Sequence, residues 1–232
     1  MRDTWRSWEL IRPPLERRHD VLALTLAGHA GGPAIEAEIT EAVLADAIQS
    51  AMDEEGLATA HIVGNSLGGY VALQLASRGR AETVVALAPA GGWRPGDDSL
   101  GQTLSLQSRM LEGVRAAAPH AESMLSSARG RRRATEYITA NFEHIPAELL
   151  AHQLRGAPSC VSGFALIDYA RRADWRLDAE RITCPVRILW GTDDRLLPWP
   201  SAALRFREEW LPHADWVVPV EVAELVLGFT AR

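Results

Sequence analysis

Two hydrophobic patterns alternate along much of the chain. Short apolar runs stand at "HDVLALTLAG" (19–28), "TAHIVG" (59–64), "ETVVALAPAGG" (82–92), "ITCPVRILWG" (182–191) and "ADWVVP" (214–219). Runs of this length, bounded by glycine, proline or charged residues, predict strands buried on both faces. Between them the period lengthens. "AIEAEITEAVLADAIQSAMDEEG" (34–56) places apolar residues at 35, 39, 43, 44, 48 and 52, the spacing of one helix face, and Gly56 stops it. "LGGYVALQLASRG" (67–79) and "VEVAELVLGFTA" (220–231) predict two more helices.

Strands alternating with helices predict an α/β fold, a mostly parallel sheet with helices on both faces. The alternation stops between Trp93 and Trp175. There "LGQTLSLQSRMLEGVRAAA", "HAESMLSSARGRRRATEYITANF" and "PAELLAHQLRG" are helical in character. The expected organisation is a core formed by 1–92 and 176–232, with 93–175 inserted as a helical cap. The arginine run at 129–133 could bind phosphate, although a solvated helix face is the commoner reason for such a run. No internal repeat or low-complexity tract occurs.

The stretch with the clearest chemistry is Gly64-Asn65-Ser66-Leu67-Gly68. It falls at the end of a predicted strand and the start of a predicted helix, the setting that a G-x-S-x-G nucleophile turn requires. So sharp a turn strains the serine backbone, and bulky neighbours would clash; Gly69 eases close packing. The hydroxyl then projects above the C-terminal edge of the sheet. The helix N-terminus beneath it favours developing negative charge, with the Leu67 N–H placed as an oxyanion donor. A phosphate-binding loop is the competing reading, but the Lys-Ser/Thr ending is missing.

These segments resemble the α/β-hydrolase superfamily. "VGNSLGGYVALQLA" is similar to its nucleophile elbow, "VVALAPAGGW" to the strand and loop leading into a helical cap, and "CPVRILWGTDDRLLP" to the later strand that carries the triad acid. The resemblance covers nearly the whole chain in the family's order, and implies a serine, acid, histidine triad. It selects Asp194 as the acid, bracketed by Gly191 and Pro198, and leaves Asp193 to solvent or to capping the turn. The family's histidine lies after the last strand, yet "DWVV" runs directly into "PVEVAELVLGF" with no histidine between. His213 is nearest but precedes that strand, so the expectation for it as base is weak. His61 and His19 begin strands, His29 in "GHAGGP" holds a position the family uses structurally, and His120, His144 and His152 fall in the insertion. The family's "HG" loop, which supplies a second oxyanion donor, also has no counterpart: "TWRSWELIRPPLERRHDV" resembles the segment that follows it. The two absences together suggest a shortened chain.

Composition narrows the picture further. The 232 residues suffice for one domain with an insertion, and 47% hydrophobic residues argue against disorder. A net charge of −6 argues against nucleic-acid or anionic-membrane partners. No run approaches the roughly 18 apolar residues of a membrane span, and "MRDTWRSWEL" does not have the form of a secretory signal. Cys160 and Cys184 have no metal-ligand spacing and are expected as reduced thiols. The expectation is a cytoplasmic hydrolase of a small ester or related acyl substrate, needing neither metal nor cofactor. Its catalytic residues would be Ser66, Asp194 and, weakly, His213. Trp93, Phe164 and Trp175 suggest a small apolar substrate, although each is individually more often a core residue. The alternative is an impaired or inactive member of the fold, and an exposed sheet edge at 21–26 could support a homodimer.

Overall fold

A computed structural model describes residues 3–36, 38–139 and 141–217. The chain divides into two compact units: Met1–Ile39 with Gln102–Arg172, and Thr40–Gly101 with Ala173–Arg232. This grouping differs from the expected one at its first boundary, since the N-terminal 39 residues belong with the helical segment.

The second unit carries the sheet. Its strands β1 (Ala60–Asn65), β2 (Ala81–Leu87), β3 (Val186–Leu189) and β4 (Asp215–Val217) lie in the order β1-β2-β3-β4, and every pairing is parallel. Asn65, Leu87, Leu189 and Val217 align in one row. On one face Val84, Ala86, Val186 and Ile188 pack with Tyr70, Leu73 and Ala76 and with Phe206. Val85, which points to the other face, is also fully buried. The continuous apolar composition of these strands follows from burial on both sides.

Labels for helices run α1 (Arg12–Glu16), α2 (Val43–Glu54) and α3 (Leu67–Ser77). The helix expected over 34–56 thus forms only from Val43. Tertiary bonds explain the shortening, because Glu41 is held elsewhere: its carboxylate accepts from the Tyr70 hydroxyl and from Arg176 N–H, and its carbonyl from Gln74 Nε2. A residue engaged this way resists a helical turn that its propensity would allow.

The other unit holds most of α4 (Asp98–Ala117), then α5 (Ala121–Leu125), α6 (Ala128–Thr135), α7 (Ala147–Gly156) and α8 (Gly163–Arg172). Leu125, Leu150 and Leu154 form its core with Ala121 and Ala151. The strand expected at 19–28 does not form: residues 20–26 join no ladder among the described residues. An apolar run provides the composition of a strand, but a strand also needs a neighbour to bond to. The sheet edge foreseen at 21–26 is therefore not one, and the edges of the described sheet are β1 and β4. The run instead ends in a tight loop closed by Gly28 N–H to Pro33 O at 2.7 Å and His29 N–H to Leu26 O at 3.1 Å. Gly28 sits at φ +72°, and a Cβ there would lie 2.8 Å from Ile35 and 2.9 Å from Ser162. Cys160 donates its thiol to the Gly28 carbonyl at 3.2 Å, and both cysteines are free thiols. The helix expected at 220–231 lies outside the described residues.

His29 in that loop is buried, and burial pushes its pKa down to about 4 from 6.5. The folded protein thus keeps it neutral while the unfolded chain protonates it as pH falls through 6.5. Stability from this site is complete above pH 6.5 and is lost progressively between 6.5 and 4, by up to about 3 kcal/mol. His29→Phe should flatten that part of the acid limb relative to wild type in chemical denaturation series run from pH 7 to pH 4. Identical slopes for the two proteins would contradict it.

Candidate active site

Ser66 follows β1 directly and precedes α3. Its backbone has φ 53° and ψ −117°, a conformation that side-chain-bearing residues rarely adopt. Three backbone bonds fix it there. Ser66 N–H donates to Leu87 O at 2.8 Å, and Ser66 O accepts from Ala90 N–H at 3.0 Å and Tyr70 N–H at 3.2 Å. A serine before a helix normally folds its hydroxyl back to cap the first turn. Ser66 makes no such bond, and the residue is partly exposed. The strained turn therefore points Oγ away from the backbone donors it would ordinarily serve.

The glycines around it have unequal reasons. A Cβ on Gly64 would stand 2.1 Å from Gly68 O and 2.7 Å from Gly69 N, so helix α3 begins in contact with the strand. Gly69 is also tight, with a Cβ 3.1 Å from Pro89. Gly68 has nothing within 4 Å. The first glycine of the motif is required by packing, whereas the second is not.

The sequence marked the loop after β2 only as the way into the helical segment, with no role at Ser66. Ala88 there takes φ 39°, and Ala90 N–H holds the Ser66 carbonyl. The signal was present in "ALAPAGG", where proline and two glycines follow a strand. Gly91, at φ 95°, is also pressed by Trp175, whose ring would lie 2.5 Å from a Cβ.

Asp194 belongs to the turn after β3, at the same C-terminal edge of the sheet as Ser66. Its Oδ1 accepts from Leu196 N–H at 2.9 Å and Leu197 N–H at 2.7 Å. Asp194 thus caps the turn, and Asp193 is exposed, one of the two placements expected for it. The buried Trp190 closes the same loop by donating Nε1–H to Leu197 O at 2.9 Å. Burial pushes the Asp194 carboxyl above its ordinary range, and the Leu197 and Leu196 amides pull it partly back. Asp194→Asn keeps an oxygen acceptor and should leave the urea midpoint nearly unchanged. Asp194→Ala leaves two amides without it and should cost about 1–3 kcal/mol. Equal midpoints for Asn and Ala would show that the cap is not holding the loop.

His213 is not brought to Ser66. It is exposed, two residues before Asp215, which pairs with Arg187. Ser66 follows the Asn65 row, aligned with Val217. About five residue steps at roughly 3.3 Å each separate the two along the strand direction, or about 16 Å, before the lateral offset of three strands is added. His61, the second residue of β1, lies at that same far edge, with Nδ1 3.0 Å from Thr83 Oγ1. No other histidine occurs in Thr40–Gly101 or Ala173–Arg232. Within the sheet-bearing unit, then, Ser66 and Asp194 share an edge and no histidine joins them.

Trp93 and Trp175 pack into the core of the sheet-bearing unit, Trp175 edge-on to Tyr70 at 5.0 Å. In the helical unit, Phe164 lies under the Arg115 guanidinium at 4.8 Å. A crevice of about 270 Å³ beside Gln74, Arg78 and Asp178 does not include Ser66 in its lining. Among the described residues no group of three metal-ligating side chains occurs, and no helix is long and apolar enough to cross a membrane.

Comparison with known proteins bears on this site. Residues 2–225 match the family model described as the alpha/beta hydrolase family. The chain is 32% identical over 177 residues to the epoxide hydrolase EphH of Mycobacterium tuberculosis, covering 75% of this chain and 81% of that protein. It is 30% identical to a putative carbamate hydrolase, RutD, of a Caulobacter species, covering 75% of this chain and 62% of that one. Among solved structures, a meta-cleavage product hydrolase from Pseudomonas fluorescens (CumD) matches with a TM-score of 0.66 at 20% identity, over 94% of this chain and 77% of that one. With its elbow, its parallel sheet and these matches, the chain belongs to the alpha/beta hydrolase family.

Proposed function

We propose that the protein is a hydrolase of a small ester or related acyl substrate, with Ser66 as nucleophile. The observation that supports this most is the Ser66 backbone, held at positive φ with the hydroxyl withheld from helix capping. In the proposed step Oγ attacks the substrate carbonyl carbon, its proton passes to a base, and the Leu67 N–H at the start of α3 steadies the oxyanion. The leaving group departs as the acyl-serine forms, and water then releases the acid. Asp194, with Oδ1 committed to the turn, offers Oδ2 as the group that would orient a base.

The names of the relatives differ in chemistry, and the residue at the elbow favours one side. Attack of a serine on an epoxide carbon would leave a serine ether, which has no carbonyl for water to attack, so turnover would stop. Attack on an ester or carbamate carbonyl leaves an acyl-serine that water can cleave. A carbonyl substrate therefore suits Ser66 better than an epoxide.

A second reading, a catalytically impaired family member, is favoured by the absence, within the sheet-bearing unit, of a histidine at the edge that holds Ser66. Removing the base of such a site typically lowers turnover by several orders of magnitude. Turnover of p-nitrophenyl acetate and butyrate, together with labelling by a fluorophosphonate probe, distinguishes the two. Rapid labelling and turnover, both abolished in Ser66→Ala, are expected of the working hydrolase. Slow or absent labelling supports the impaired reading, and turnover that survives Ser66→Ala would overturn the assignment of the nucleophile.

A further inference from the structure

The arginine run of the helical unit resolves into two parts. Helix α6 is capped by Ser127, whose Oγ accepts from Gly130 N–H at 3.0 Å. One face packs inward. A Cβ on Gly130 would stand 1.7 Å from Met124 O, Ala134 lies against the unit's apolar core, and Thr135 is buried. Arg131 belongs to this structural side: its Nη1 donates to Leu125 O at 3.1 Å, satisfying the end of α5.

Arg129, Arg132 and Arg133 are different. At i, i+3 and i+4 they share the opposite face. All three are exposed, and none forms an ion pair among the described residues. Favourable interaction with the helix dipole accounts for Arg132 and Arg133, which stand in the last turn, but not for Arg129, whose charge in the first turn is unfavourable. The chain continues on a helical path beyond the helix, because Thr139 N–H donates to Thr135 O at 3.1 Å. Tyr137 therefore follows Arg133 by four residues on the same side. Tyr137 is 39% exposed. Exposed Glu136, three residues after Arg133 and four after Arg132, shares the arginine face, which therefore carries a net two positive charges, whereas Ile138 follows Ala134 on the other side.

We propose that this face of α6, with Tyr137, is a peripheral docking surface for an anionic phospholipid membrane. Three guanidinium groups complement lipid phosphates, and the adjacent Tyr137 ring suits the boundary between headgroups and acyl chains. A soluble polyanion would use the arginines but gain little from an exposed aromatic ring. The net charge of −6, which by itself argues against an anionic-membrane partner, belongs to the whole chain; beyond a Debye length of about 8 Å its remaining charges are largely screened, so the local arginine face governs the encounter.

The test is co-sedimentation of the full chain with vesicles of phosphatidylcholine alone or with one-third phosphatidylserine. Wild type should bind the phosphatidylserine vesicles and release in high salt. Each arginine should contribute about five-fold in partitioning, so R129Q/R132Q/R133Q should weaken binding about 100-fold. The triple lysine variant should retain most of it. Glutamine is a good helix former and all three positions are exposed, so an unchanged melting curve confirms that the fold is intact. Y137S should also weaken binding at constant charge. Failure to prefer phosphatidylserine, or equal binding by R129Q/R132Q/R133Q, overturns the proposal. So does equal binding to polyglutamate with no effect of Y137S, which would assign the face to a soluble polyanion.

Discussion

Gly64→Ala should leave the sheet-bearing unit largely unfolded, while Gly68→Ala, in the same motif, should fold normally. The added methyl at position 64 would meet Gly68 O at 2.1 Å, Gly68 C at 2.4 Å and Gly69 N at 2.7 Å. All three are backbone atoms of the first turn of α3, so no side chain can rotate to make room. Relief requires moving the helix off the strand, and α3 contributes Leu73, fully buried, to the main core. A clash of this kind is expected to cost on the order of 4–5 kcal/mol or more, comparable with the whole stability of a typical domain, about 5–15 kcal/mol. At Gly68 the methyl meets nothing within 4 Å, and replacing a helical glycine by alanine stabilises by roughly 0.5–1 kcal/mol. Circular dichroism and urea denaturation of the two variants side by side measure the contrast. Comparable midpoints would mean that the elbow is looser than this packing allows.

That contrast marks what the motif alone conveyed. G-x-S-x-G was legible because it joins local facts: an apolar run, a turn and a helical period in succession. The strand at 59–64, the helix from 67 and the strand starting at 82 followed from the same local signals, and the structure has β1, α3 and β2 there. The sequence could not say which glycine is sterically obligatory, since that depends on where α3 lands on β1. The run at 20–26 shows the same limit from the other side. Its composition is that of a buried strand, but a ladder depends on a neighbour that local sequence does not specify. Asp194 was legible as the residue to watch, while its capping of Leu196 and Leu197 was not, because Asp193 offered the same chemistry one position away.

Within α6 a run of arginines seemed one feature and is two. Arg131 serves the end of α5 while Arg129, Arg132 and Arg133 face outward, a division set by the packing of Gly130 against Met124 and of Ala134 against the apolar core rather than by charge. The absent histidine was legible without any structure, and the register of the sheet adds a distance to it. His213 and His61 lie at the far edge, so nothing short of a reversed strand direction would bring either to Ser66. What the chain holds at the near edge is the strained serine turn, the costly part of the site proposed above.

Ser66→Gly and Ser66→Ala should both abolish covalent labelling and any Ser66-dependent ester turnover, a loss of at least about 10³-fold where turnover exists, yet they should differ in stability. Alanine inherits the φ of 53° and ψ of −117° and with it the strain, so Ser66→Ala should melt close to wild type. Glycine adopts positive φ without penalty. Relief of strain at such a residue is worth about 1–3 kcal/mol, and the greater freedom of glycine in the unfolded chain takes back roughly 0.5–1 kcal/mol. The net expectation is that Ser66→Gly is more stable than Ser66→Ala by about 1–2 kcal/mol. No capping bond from the hydroxyl is lost in either variant, because Ser66 makes none, so the comparison isolates the backbone. Urea denaturation at neutral pH measures the difference. If Ser66→Gly proves the less stable of the two, the turn is not strained, and the withheld hydroxyl needs another explanation than a site shaped for nucleophilic attack.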